Sequence, residues 1–220
     1  MKYPDALRGI KKIYTSEILL LLAGLLGGVA SVFGAQASQQ IAQGGAEGID
    51  AGTAFGVLIP ILASGLIAII ATIIEFFGLK DAANENEYFK NGYIYALIGL
   101  VLSIALTILS YTKVSDMVSD LGKIVSNFIQ MVVTFYVITG IKDLAEKLGD
   151  TDMVSRGKKT FNIYAAAIIC ASLVELALTL LQDNAKTIVV GILGAVTVIL
   201  TVIGYALYLI YLSRAKKMLA

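Results

Sequence analysis

Six long apolar stretches, separated by short polar connectors, run through this chain from Ile18 to Leu212, and they decide the solvent in which it folds. They cover residues 18–35, 54–77, 93–109, 125–141, 163–181 and 187–212. Each approaches or exceeds the roughly 20 apolar residues that cross a hydrocarbon core about 30 Å thick. Backbone amides in lipid must be satisfied inside their own segment, so helices are the form expected for such runs. The expected fold class is all-α: a polytopic membrane helix bundle of six transmembrane helices, forming a single domain over residues 1–220.

Composition agrees, with 58% hydrophobic and 15% charged residues against the near-half and near-quarter of soluble domains. A net charge of +1 gives no reason to expect a nucleic-acid partner, which needs clustered Lys and Arg facing water. The basic residues are placed unevenly. Lys2, Arg8, Lys11 and Lys12 precede the first span, and Lys80 and Lys90 lie between the second and third. Lys142, Lys147, Arg156, Lys158 and Lys159 lie between the fourth and fifth, and Arg214, Lys216 and Lys217 follow the sixth. Only Lys113, Lys123 and Lys186 fall on the other side. By the positive-inside rule the N- and C-termini are cytoplasmic, in the cell (plasma) membrane. Tyr14, Tyr88, Tyr93, Tyr164, Tyr208 and Tyr211 fall near the same helix ends, where an amphipathic ring suits the headgroup level, whereas Tyr111 marks the outer face.

A basic segment (Lys11, Lys12), an apolar run (18–26) and Ala35-Gln36-Ala37 also match a secretory signal. The basic segment is long and the run continues through Phe33, so a retained first span is expected instead.

Gly78-Leu79-Lys80-Asp81-Ala82-Ala83 after the second span recurs as Gly140-Ile141-Lys142-Asp143-Leu144-Ala145 after the fourth. Phe89 opens the third span as Phe161 opens the fifth. Spans two–three and four–five therefore read as two copies of one helical hairpin. Arg8-Gly9 and Arg156-Gly157, with Arg214 after span six, suggest a third, split copy and a pseudo-threefold bundle. The basic-side connectors read as helical extensions with a short turn, and 36–53, rich in Gly, Ala and Gln, as a flexible loop. Between 114 and 128 the apolar spacing suits an interfacial amphipathic helix feeding span four.

The chain has no histidine and one cysteine, Cys170, which removes the usual general base and the common zinc, haem and iron–sulfur ligand sets. It also lacks a nucleophile elbow, a Walker loop and a dinucleotide glycine fingerprint. No enzymatic activity, cofactor or metal is expected. Intramembrane ionisable groups come next, because a charge near the bilayer centre is costly. Glu175 lies well inside span five and Glu75 near the basic end of span two. Polar residues share faces: Ser64, Thr72 and Glu75; Gly99, Ser103, Thr107 and Ser110; Asn127, Gln130 and Thr134; Ser172, Glu175, Thr179 and Gln182; Thr197, Thr201 and Gly204. Converging stripes would line a polar crevice with Asn127, Gln130 and Glu175 at its wall, whereas close helix packing accounts for the same residues without a ligand. Gly24-x-x-x-Gly28, extended by Gly27 and Ser31, is a small-residue face suited to contact with a helix of this chain or of another subunit. Pro60 is expected to kink span two.

The Gly-x-Lys-Asp-x-Ala exits, Phe89-Lys90-Asn91, and Gly9-Ile10-Lys11-Lys12-Ile13-Tyr14 with Glu17-Ile18-Leu19 resemble small multi-pass membrane proteins of archaea and Gram-positive bacteria that carry no assigned activity. That resemblance implies a fold and no functional residues. In size and span number the chain is also similar to the substrate-binding subunits of energy-coupling-factor vitamin transporters. The function expected is that of a non-enzymatic accessory or scaffold protein. Its partners would be the lipid bilayer and another membrane protein or a second copy of itself. The alternative is a small-solute or ion transport component built on the polar stripes around Glu175.

Overall fold

The computed structural model describes residues 2–44, 51–110, 116–180 and 183–220. Side chains are described for these except at 43–44, 107–110, 116–121, 123, 175, 177–180 and 183–193. The described chain is helical: α1 (Pro4–Gly44), α2 (Ala51–Ala83), α3 (Glu87–Ser110), α4 (Asp116–Leu148), α5 (Thr151–Leu180) and α6 (Asp183–Leu219). Five segments are long and apolar enough to cross a membrane: Pro4–Ala42, Ala51–Ala83, Glu87–Leu106, Ile124–Leu148 and Gly194–Leu219. The stretch expected at 163–181 lies in α5 and runs into residues outside the described side chains.

The helices outrun the apolar stretches. The expected loop at 36–53 is corrected at its two ends, since α1 continues to Gly44 and α2 starts at Ala51, while 45–50 lie outside the described residues. Ala, Gln and Ser have no intrinsic objection to a helix, and Ser38 donates its hydroxyl back to the Gly34 carbonyl. At the basic end the connectors shrink to tight turns, as the helical-extension reading expects. Asn84 and Glu85 donate backbone N–H groups to the Asp81 and Ala82 carbonyls, and Asn86 Oδ1 then accepts from the Tyr88 N–H to cap α3. After α4, Gly149 takes φ +77°, the left-handed conformation that a Cβ resists. Asp150 donates to the Ala145 carbonyl and Gly149 to that of Glu146, a Schellman ending. Asp150 Oδ1 in turn caps α5 through the Met153 N–H at 3.0 Å. One short segment thus stops one helix and starts the next.

Contacts group the chain into two compact units, Met1–Ile10 with Leu79–Ala220, and Lys11–Gly78. In the larger unit α3, α4, α5 and α6 pack as successive antiparallel neighbours. Phe89 lies on Gly140, Gly92 on Tyr136 and Gly99 on Ile129 between α3 and α4. Phe135 meets Phe161 edge-on between α4 and α5. Tyr164 packs against Gly204 and Tyr208 between α5 and α6. The deepest part of this core sits at the basic end: Leu79, Ala82, Phe89, Ile141, Leu144, Ala145, Tyr211, Leu212 and Ala215 are fully or almost fully buried.

Tyr208 and Tyr211, read in the sequence as helix-end tyrosines, are each only 1% exposed. With Gly204 and Ala215 they form the inward stripe of α6 at spacings of three and four. Glycine makes the room. A Cβ at Gly157 would stand 2.6 Å from the Tyr211 hydroxyl, which donates to the Ile138 carbonyl at 3.5 Å.

In the smaller unit α1 and α2 are antiparallel, with Lys12 over the Phe77 ring, Phe33 against Gly56 and Gln40 bonded to Thr53. The less exposed stripe of α1 holds Ala23, Gly27, Ala30 and Gly34, and its other side exposes Leu21, Leu22, Leu25, Val29 and Val32.

Candidate functional site

Two polar groupings emerge, one at the basic end and one deep among α4, α5 and α6. At the basic end Asp5, Glu85, Asp143 and Asp152 make contacts that hold the fold. Tyr3 begins α1 without a side-chain cap, and Glu85 from the α2–α3 turn supplies one. Its carboxylate accepts the Asp5 N–H at 3.2 Å and the Ala6 N–H at 2.7 Å. These are orphan amides of a helix N-terminus, where negative charge is favoured. Asp5 pairs with Arg8 and accepts from Asn84. Asn86 donates to Asp143 at 2.6 Å, and Lys147 pairs with the same carboxylate oxygen at 2.6 Å. Asp152 pairs with Arg156 and lies 3.7 Å from Arg214. The hydrogen bond from Arg156 holds the Asp152 carboxyl below its usual range. This grouping stitches helix ends together. It was missed at the sequence level because Glu85 and Asn86 read as connector residues and their partners lie far along the chain.

The deep grouping follows from helix register. On α5, Ser172 lies eight residues beyond Tyr164, and the same step back along α6 from Gly204 and Tyr208 reaches 196–200, so Thr197 is level with Ser172. On α4, equal steps from the Phe135–Phe161 and Lys142–Gly157 contacts bring 124–127 to that level. Counted along the helices from these contacts, Asn127, Ser172 and Thr197 fall at about the same level. At ~1.5 Å per residue that level lies roughly 20–25 Å along the helices from Lys142, Arg156 and Arg214. Ser172 is 8% exposed, and neither its hydroxyl nor the buried hydroxyl of Thr197 has a hydrogen-bond partner among the described residues. Asn127 is half-buried.

Of the residues singled out in the sequence, Asn127 falls at this level, whereas Gln130 is exposed and Thr134 buried. Glu175 and Thr179 lie outside the described side chains, as does Gln182. Glu75 is half-buried and engaged in an interaction, while Thr72, expected on its face, is exposed and bonds back to the Ala68 carbonyl. Gly24 and Gly28 are exposed, and within their unit a Cβ at either would meet nothing within 4 Å. Cys170 is half-buried with a free thiol. Among the described residues no group of three acidic or cysteine side chains comes together as a metal site.

We find no family model that matches the chain, no similar curated protein and no similar solved structure.

Proposed function

We propose that this is a non-enzymatic accessory or scaffold protein of the cell membrane that acts by holding another transmembrane helix. α5 serves as its sixth span, and the basic end and both termini lie in the cytoplasm. The outer side of α1 carries this reading. Leu21, Leu22, Leu25, Val29 and Val32 surround Gly24 and Gly28 there, and all are exposed. Helices associate in lipid by close backbone approach rather than by hydrophobicity, because lipid tails are as apolar as leucine. A glycine pair with flanking branched side chains suits that approach. The hairpin α4–α5 and its counterpart α2–α3 are read as copies of one unit. Supporting this, Gly78, Leu79 and Ala82 are buried just as Gly140, Ile141 and Leu144 are.

The test is a photoreactive amino acid at Gly28 in cells, with one at Val101, exposed on α3, as control. Cross-linking from position 28 into one defined membrane protein or a second copy, but not from 101, is the expected result. Equal labelling of lipid alone from both positions would remove the proposal.

A second reading, a small-solute or ion transport component, draws on the deep polar layer and on Glu175 one turn beyond Ser172. Its test is Glu175→Leu in proteoliposomes. Transport predicts a pH-dependent flux that the substitution abolishes with the fold intact. The scaffold reading predicts no flux in either protein and an unchanged or raised melting temperature.

A further inference from the structure

The hydroxyls of Ser172 and Thr197 present a chemical requirement that neither reading meets. Each can donate one hydrogen bond and accept two, each is closed off from the surface, and neither has a partner among the described residues. Buried polar groups in native proteins are ordinarily satisfied by protein or by ordered water, and the penalty for leaving them bare is greatest where the surroundings are apolar. Serine and threonine in a membrane helix commonly bond back to the carbonyl one turn earlier. Thr72 and Ser31 do so here, at 2.9 and 3.0 Å, but Ser172 and Thr197 do not.

Residue counting from the interhelical contacts brings the two orphans, on neighbouring helices, and half-buried Asn127 on α4 to about one level. We infer that the layer formed by Asn127, Ser172 and Thr197 is a binding site for internal water within the α4–α5–α6 packing. The chemistry selects a guest that both donates and accepts, because hydroxyl and carboxamide groups do both. A buried water makes about three hydrogen bonds, and the layer offers three polar side chains. The site would make this the hydrated level of an otherwise apolar span, whichever function the protein has.

The test is water–methyl cross-relaxation by NMR on the full chain in perdeuterated-lipid nanodiscs, with threonine methyls labelled. A cross-peak of long-lived water is expected at the Thr197 methyl and not at Thr201, which is exposed on the same helix. Ser172→Ala should at least halve it. Absence of the Thr197 peak in the folded wild-type protein would overturn the inference, and so would a peak undiminished by Ser172→Ala. Melting temperatures give an independent readout. With a shared water, Ser172→Ala and Thr197→Val each lower the midpoint, and the double variant loses less than the two separate losses together. Dry orphan hydroxyls would instead give midpoints that are unchanged or raised, with additive effects, and that result overturns the site.

Discussion

Replacing Glu85 by alanine removes a single side chain and uncaps a helix whose first-turn amides lie 79 and 80 residues away in sequence. The carboxylate accepts two N–H groups at 2.7 and 3.2 Å, in a partly buried setting where water can partly replace it. Loss of a side-chain cap costs about 0.5–2 kcal/mol. Loss of a negative charge at a helix N-terminus adds about 0.3–1 kcal/mol. A combined loss of about 1–3 kcal/mol is therefore expected, and at roughly 2–4 °C per kcal/mol for a chain of this size the melting midpoint should fall by about 2–12 °C. Glu85→Gln keeps one acceptor oxygen and loses the charge, so its midpoint should fall between the other two. Hydrogen exchange localises the effect, since the Asp5 and Ala6 amides should exchange faster in Glu85→Ala while those of Tyr88 and Met153, capped by Asn86 and Asp150, should not change. A midpoint within 1 °C of wild type, with unchanged exchange at Asp5 and Ala6, would refute the capping argument.

Other substitutions probe the packing. Gly140→Ala places a Cβ 2.8 Å from the fully buried Phe89 ring and should cost about 1–3 kcal/mol, read as a lower midpoint in thermal unfolding. Gly28→Leu meets nothing within its own unit, so the same measurement should move by no more than about 0.5 kcal/mol equivalent. Tyr211→Phe loses a long hydrogen bond to the Ile138 carbonyl and should cost about 0.5–1 kcal/mol, with the fold retained by circular dichroism. Because Arg156 holds the Asp152 carboxyl below its usual range, this pair favours the folded state above the ordinary aspartate pKa. The contribution is lost as pH falls through the lowered value. The pair is solvent-exposed, so the midpoint difference between wild type and Asp152→Asn should be small at pH 7 and vanish once the pH is below the lowered value.

Much of the fold is legible in the sequence because lipid permits so few solutions. Length and apolarity place the helices, and Asn86, Gly149 and Asp150 mark turns by local chemistry that needs no distant partner. What stays hidden depends on register. Tyr211 looks like a headgroup residue until Gly157, on the facing helix α5, leaves space for its hydroxyl. Asn127, Gln130 and Thr134 look like one stripe, but helical rotation leaves Gln130 exposed while Thr134 is buried. Gly24 and Gly28 form the more conspicuous small-residue motif, yet α1 keeps Ala23 and Ala30 buried and turns those glycines outward. The deep layer required Ser172 and Thr197 to be aligned through contacts two turns away. The Glu85 cap required a partner most of a helical hairpin distant. Neither alignment nor distance is written in local composition.

The most direct test of the scaffold reading is the mass of the particle that carries this chain when it is extracted from its native membrane in lipid–polymer discs without detergent. The account predicts an assembly heavier than one chain, of defined composition, which Gly28→Leu reduces to a single chain without changing its melting midpoint. A wild-type particle containing one copy and no other protein would contradict it.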